Sequence, residues 1–264
     1  VMRPVALNRA CSDLFDALVS GGHLRPEEVR QRLMRALEAN APADVRQTAA
    51  LLGFAPDGKD VEQALTRPAA ALKTGLPKDL RMIALVRLAR ADPAEAAERL
   101  RASGGALTVD DRRFVWAQIA AAGMRRLLPD AHAWAREAAG AKISDQTRVW
   151  LARAALRPQD WTLLRATILA MDADTRAEPT WTYWLGRAEK ALGQTAASAK
   201  RFESLAARQD YYGKLANEEL GRRSSAPPRP APAAADQVAA FDSNQGFARA
   251  LAFYSLGMRF EGNR

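Results

Sequence analysis

The chain has 264 residues, of which 48% are hydrophobic but only 7% aromatic, so most of its apolar side chains are Ala and Leu. It carries 39 Lys and Arg against 30 Asp and Glu, a formal net charge of +9, and one cysteine, Cys11. The single cysteine excludes an internal disulfide framework, and no apolar run reaches the roughly 18 residues that a transmembrane helix needs. This composition is typical of helices that pack closely through small side chains.

The first 77 residues predict short helices separated by clear breaks. Pro26 at a first helical position, followed by Glu27 and Glu28, is a typical helix start, and the pair Gly21-Gly22 is a typical end. Pro and Gly are frequent between 54 and 77, where we expect turns around one short helix. The predicted helices are roughly 2–20, 26–39, 43–52 and 61–65.

From residue 78 the apolar spacing becomes more regular and predicts helices in pairs. Asp92-Pro93 combines an N-cap residue with proline at the first helical position. The predicted helices are 79–90, 93–101, 110–123, 128–139, 144–157, 159–171, 179–192, 194–207 and 210–221.

Large side chains recur in this region at a constant interval of 34 residues. The first series is Trp116, Trp150 and Trp184. The second series, in the helices that follow, is Trp134, Ile168 and Phe202. Both extend one unit back, to Met82 and Leu100. This period is typical of stacked two-helix units, so we predict an all-α fold, an α-superhelix (solenoid) in which these side chains fill the space between repeats. Trp161 and Trp181 lie outside the series and are better candidates for partial exposure.

Composition divides the chain into three predicted segments: an α-superhelical domain at 1–221, a linker rich in Pro and Ala at 222–240, and the truncated start of a further helical domain at 241–264. The prolines favour extended backbone and cannot continue a helix. A helix is predicted over 244–256, with Phe247, Leu251 and Tyr254 on one face.

Both ends of the chain suggest that it is part of a longer protein. Val1 is not an initiator methionine, and neither a basic nor an apolar leader precedes the first predicted helix. We therefore expect that a targeting segment has been removed or that the chain is a fragment, and that the C-terminal end after Phe260 is also cut.

No motif for catalysis or for metal or cofactor binding is found. His23 and His132 are far apart and have no ligand partners at metal-site spacing, so we expect structural or surface roles for both. No glycine-rich phosphate loop occurs. We predict no catalytic, cofactor-binding or metal-binding residue in this chain.

The positive charge admits two interpretations. A balance of this kind favours polyanionic partners, namely nucleic acid, anionic lipid or an anionic polymer. Alternatively, the arginines occupy solvated helix faces without a common partner. Because they are distributed through every predicted helix, we expect no single basic stripe, and binding to nucleic acid is not favoured.

Three stretches resemble soluble lytic murein transglycosylases. WTYWLGRAEKALG at 181–193, followed by Phe202 and by YYGKLAN at 211–217, is similar to the end of that family's superhelical domain. FARALAFYSLGM at 247–258 resembles the opening of its small linker domain. The order and spacing match.

The resemblance implies a ring or horseshoe of helices, a helical linker domain and a lysozyme-like catalytic domain. Such enzymes cleave peptidoglycan between N-acetylmuramic acid and N-acetylglucosamine and leave a 1,6-anhydro end. It also implies a periplasmic location, with peptidoglycan strands and cell-wall proteins as partners and no cofactor.

The family's catalytic signature, a Glu-Ser pair followed by Gly-Leu-Met-Gln, is not carried by this chain. Glu203-Ser204 is the only Glu-Ser pair, and it lies inside a predicted solenoid helix, so we interpret it as structural. The catalytic domain would lie beyond Arg264, and we expect the chain itself to be inactive.

Another class of function fits the same period. A tetratricopeptide-type scaffold that binds proteins without enzymatic activity also has 34-residue repeats. Nucleic-acid binding is a third hypothesis, and only the net positive charge of the chain supports it.

Overall fold

The computed structural model describes residues 6–55, 58–73, 75–223, 231–232 and 234–263. In these residues all regular secondary structure is helical, which confirms the predicted all-α class. Contacts divide the chain into two compact units, Val1–Arg223 and Ser224–Arg264.

The helices follow in chain order, with one short 3-10 turn at Gly104–Ala106. They are α1 Arg9–Ser20, α2 Pro26–Glu38, α3 Pro42–Leu51, α4 Lys59–Thr66, α5 Pro68–Ala71, α6 Lys78–Ala91, α7 Pro93–Ala102, α8 Val109–Arg125, α9 Ala131–Glu137, α10 Asp145–Leu156, α11 Trp161–Leu169, α12 Ala173–Ala177, α13 Pro179–Ala191, α14 Thr195–Ala206, α15 Tyr211–Glu219, α16 Ala235–Asp242, α17 Gln245–Ser255 and α18 Arg259–Gly262.

Side-chain caps explain where several helices begin. The side chain of Asp92 accepts a hydrogen bond from the Glu95 amide at the start of α7, as predicted. Thr108 and Asp111 form a reciprocal capping box at the start of α8. Asn8 caps α1, which therefore begins later than the predicted helix at 2–20; residues 1–5 lie outside the described part of the chain.

Other boundaries also differ from prediction. The helix predicted at 128–139 is observed as the shorter helix α9, because the turn before it extends to Asp130. The helix predicted at 61–65 lies within the longer α4, and the additional helix α5 follows it. The short helix α12 was not predicted. The helix α16 spans the predicted boundary at residue 240, and residues 224–230 and 233 of the predicted linker lie outside the described residues. The predicted segment boundaries stay predictions.

Within Val1–Arg223, each helix packs mainly on its neighbours in sequence. The helix α8 contacts α6 and α7 before it and α9 and α10 after it. In the same way α13 contacts α11, α14 and α15. This arrangement, in which every unit covers its apolar face with the adjacent units, is the packing of a helical solenoid.

The recurring large side chains lie between these units, as predicted. The buried members of the two series are Met82, Leu100, Trp116, Trp134, Ile168 and Phe202. Trp150 and Trp184 are partly buried and pack against the core. Trp161 is partly exposed as expected, but the expectation for Trp181 is wrong: its ring is only 4% exposed, because it packs on the core formed with α10 and α11.

Two glycines allow Trp134 and Phe202, which belong to the second series of recurring side chains, to pack closely against the helix before each of them. A Cβ atom on Gly123 would lie 2.6 Å from the Trp134 ring, and one on Gly186 would lie 2.8 Å from the Phe202 ring. Both distances are shorter than carbon atoms tolerate. The absence of a side chain at these positions therefore sets how closely α8 and α13 meet the helices that follow them.

The unit Ser224–Arg264 contains α16, α17 and α18. The rings of Phe241 and Phe247 meet edge to face at 4.7 Å between α16 and α17. Asn244 caps α17, and Phe247, Leu251 and Tyr254 on the predicted apolar face are exposed.

Gly123→Ala tests the close approach of α8 and α9. We expect the free energy of unfolding to fall by about 1 kcal/mol, because overpacking against the Trp134 ring outweighs the higher helix propensity of alanine. Gly105→Ala is the control, since nothing lies within 4 Å of its added Cβ. Urea unfolding measures both variants. A Gly123→Ala variant as stable as the control would contradict the packing argument.

Candidate functional site

The two histidines lie in different environments, one exposed and one hydrogen-bonded between two helices. His23 is exposed in the turn after α1. His132 Nε2 lies 2.9 Å from Asp160 Oδ2, and Arg136 donates to the same oxygen at 2.9 Å. Burial alone would raise the pKa of Asp160, but hydrogen bonds from His132, the Leu163 amide and Arg136 outweigh it and lower the pKa. The group joins α9 to the N-terminus of α11.

Glu203 and Ser204 have no common environment that would support catalysis. Glu203 is half exposed and accepts a hydrogen bond from Arg222 at 2.9 Å, while the Ser204 hydroxyl donates to the carbonyl of Arg201 within α14. These contacts fit the structural interpretation of the pair.

Metal ligands and membrane spans are not found in the described ranges. No three His, Cys, Asp or Glu side chains there lie close enough together to hold a metal ion. Likewise, none of the described helices is both long and apolar enough to cross a bilayer.

In the unit Val1–Arg223, which we call the superhelical unit, a pocket of about 400 Å³ lies between α2 and the N-terminal end of α8. Its lining carries charges of both signs beside the apolar side chain of Met34. The lining residues are Glu27, Arg30, Gln31, Met34, Arg35, Asp110, Asp111 and Lys142.

Arg30 links three helices at this pocket. Its guanidinium lies 2.6 Å from Asp79 at the start of α6 and 2.7 Å from Asp111 at the start of α8. Arg30 is about 21% exposed and Asp111 only 1%, so the pairs are shielded from solvent. The helix α2 is thereby attached to the first turns of two later helices.

Asp110 and Asp111 of this pocket are ionised at neutral pH. Burial alone would raise the pKa of Asp111, but hydrogen bonds from Arg30 and Thr108 outweigh it and lower the pKa. The hydrogen bond from Lys142 is the main cause that lowers the pKa of Asp110. Neither group holds a proton to donate near neutral pH, so neither is suited to general acid catalysis.

Glu38, at the end of α2, supports a helix that begins more than 100 residues later. Its Oε1 accepts hydrogen bonds from the amide and hydroxyl of Ser144, both at 2.9 Å, and from the Thr147 hydroxyl at 2.8 Å. Its other oxygen pairs with Arg35 at 2.6 Å. The buried carboxylate therefore satisfies the N-terminus of α10 and complements its partial positive charge.

A group of six arginines lies where α6, α8 and α10 end, and we call it the arginine surface. Arg126 donates to the carbonyls of Arg90 and Ala91 at 2.6 and 2.8 Å, and Arg157 to that of Leu127 at 2.7 Å. The other arginines are distributed over the rest of the chain, so the expectation that the arginines form no single stripe stays a prediction for the chain as a whole. Spacing within single helices did not reveal the group, since its members come from three helices. They are Arg87, Arg90, Arg125, Arg126, Arg153 and Arg157.

Solved structures of lytic transglycosylases have a similar fold. An inactive variant of the lytic transglycosylase Slt from Pseudomonas aeruginosa is 23% identical, with a TM-score of 0.56. A 70-kDa soluble lytic transglycosylase in complex with bulgecin A is 18% identical, with a TM-score of 0.53. The 70-kDa soluble lytic transglycosylase from Escherichia coli is 16% identical, with a TM-score of 0.52.

Each of these alignments covers 99% of this chain and 44% of the other, so the chain spans less than half the length of these proteins. No protein-family model and no curated protein sequence matches the chain. The sequence and the fold thus both resemble those of lytic transglycosylases.

Glu38→Ala tests the support of α10. We expect a loss of about 2–3 kcal/mol in the free energy of unfolding, because hydrogen bonds to a charged group are lost and the Ser144 amide has no acceptor. Glu203→Ala removes only an exposed pair and should cost less than about 1 kcal/mol. Urea unfolding and amide hydrogen exchange at Ser144 and Thr147 measure the effect. Unchanged exchange in Glu38→Ala would show that Glu38 does not hold this terminus.

Asp111→Asn tests the ion pair with Arg30 through pH. The folded-state pKa of Asp111 lies below the ordinary value of 3.8, so the folded protein binds fewer protons than the unfolded chain just below that pH. The stabilisation is complete above about pH 5 and is lost as the pH falls through the folded-state pKa. We therefore expect the destabilisation caused by Asp111→Asn to be constant above about pH 5 and to shrink on acidification. A difference that grows on acidification would contradict the assignment.

Proposed function

We propose that this chain is the non-catalytic helical scaffold region of a periplasmic peptidoglycan lytic transglycosylase. The observation that carries the proposal is the fold similarity over 99% of the chain to solved lytic transglycosylases. The sequence stretches at 181–193, 211–217 and 247–258 support it independently.

The resembling stretches within the superhelical unit are in contact with one another. The Tyr183 ring lies 5.7 Å from Phe202 and 5.6 Å from Tyr212, centre to centre, so it joins α13 to α14 and α15. Its hydroxyl accepts a hydrogen bond from Arg187 and lies 3.5 Å from Glu219. The shared residues therefore serve packing between helices, which fits a scaffold more closely than a ligand site.

In this proposal glycan cleavage, with formation of a 1,6-anhydro end, is performed by a domain outside these 264 residues. The ionised Asp110 and Asp111 support the proposal, since neither suits a general acid. Glu203 supports it because it pairs with Arg222 on an exposed helix face. The scaffold would hold peptidoglycan strands near that domain, and cell-wall proteins are further candidate partners.

A tetratricopeptide-type scaffold that binds proteins is the second candidate. The observation that favours it is the 34-residue series of buried side chains, which such scaffolds share. Binding to intact peptidoglycan without a protein partner separates the two candidates.

Sedimentation with purified murein sacculi tests the proposed function. We expect the chain to bind sacculi at about 0.01 M salt and to be released towards about 1 M, because the Debye length falls from about 30 to about 3 Å over this range. We also expect no release of 1,6-anhydro products. The absence of binding at low salt would exclude the proposal, and product release would show that a catalytic group lies within the chain.

A further inference from the structure

Four members of the arginine surface, Arg87, Arg90, Arg126 and Arg157, are positioned by backbone carbonyls. Arg90 Nη2 donates to the carbonyls of Leu37 and Glu38 at the end of α2, both at 3.0 Å. As described above, Arg126 bonds to the end of α6 in the same way. Because helix ends carry carbonyls without intrahelical partners, these guanidiniums satisfy them and are held in fixed positions.

Trp150 is partly buried and contacts two members of this surface. The guanidinium carbon of Arg125 lies 5.0 Å from the centre of the indole ring, and that of Arg153 lies 4.5 Å from it. Both arginines are exposed, and neither donates a hydrogen bond to any described residue. Contact with the ring orients the two cations while their N–H groups stay available.

The arginine surface has no acidic counterpart within the described residues. None of the six guanidiniums lies within 4 Å of a carboxylate there, whereas other arginines of the same unit, such as Arg30 and Arg148, do have such a partner. Burial, followed by repulsion from Arg125 and Arg87, lowers the pKa of Arg90. Like charges held together in this way are stabilised by an anion.

We propose that Arg125, Arg153 and Trp150, with the flanking arginines, bind carboxylates carried by the peptide chains of peptidoglycan. This inference rests on the proposed function. A guanidinium binds a carboxylate through two parallel hydrogen bonds, and the Trp150 ring holds the Arg125 and Arg153 guanidiniums in place for such contacts.

The repeat structure favours a ligand with several carboxylates. Packed helices lie about 8–10 Å apart, so α6, α8 and α10 present arginines at successive steps of that size. A polymer with peptide carboxylates at intervals can contact several of these steps at once, which increases its affinity without any strong single contact.

The double variant Arg125→Gln/Arg153→Gln tests the inference in the full chain. The control Arg112→Gln/Arg223→Gln removes the same charge from exposed positions outside the surface; Arg112 lies about 20 Å from Arg125 along α8. Binding is measured at low salt to intact sacculi, to glycan strands from which the peptides have been removed, and to a DNA duplex. Circular dichroism and thermal unfolding establish that both variants are folded.

We expect the test variant to bind intact sacculi at least about 10-fold more weakly than the wild type, and the control to lose much less. Peptide-free glycan should bind weakly to all three proteins. Equal loss in test and control variants would overturn the site, as would a test variant that binds like the wild type. Full binding to peptide-free glycan, or tighter and equally arginine-dependent binding to DNA, would overturn the carboxylate assignment. If the wild type does not bind sacculi at all, the proposed function itself fails.

Discussion

The close packing of one large side chain against a glycine in the preceding helix is the contact on which the helical stack depends. At Gly123 and Trp134, and again at Gly186 and Phe202, no Cβ atom would fit between the two helices. Protein interiors are packed nearly as densely as crystals, so such contacts determine the separation and alignment of the helices. The arrangement of the helix ends, and hence of the groups attached to them, follows from that alignment.

Polar contacts at the helix ends add long-range connections that a solenoid of neighbour contacts would lack. Arg30 and Glu38 bring α2 to the first turns of α6, α8 and α10. Arg30 pairs with carboxylates in the first turns of α6 and α8, and Glu38 supplies an acceptor that the N-terminus of α10 lacks. At the C-terminal ends the arginines perform the equivalent task for carbonyl groups. Satisfying helix ends and collecting positive charge are therefore consequences of the same side chains, which connects the stability of the fold with the surface that we propose for binding.

Sequence patterns predicted the features that depend on local chemistry. The Asp92 cap, proline starts and the 34-residue series identified most helices and the buried faces, because these signals act within one or two turns. These patterns failed where contacts between residues far apart in the sequence determine the structure. Trp181 is buried by helices from an earlier repeat, and α12 is too short to show a period. The pocket beside α2 could not be predicted either, since its lining comes from segments some 80 residues apart.

The sequence by itself determined the all-α class, the repeat and the absence of a recognisable catalytic motif, because each of these is encoded in residue spacing along the chain. Only the tertiary structure decided which charges meet. Arginines that are separated by 30 or more residues become one surface when helix ends are aligned, and Glu38 becomes a cap for α10 in the same way. Electrostatic interactions depend on distance in space, and sequence spacing does not report that distance between helices.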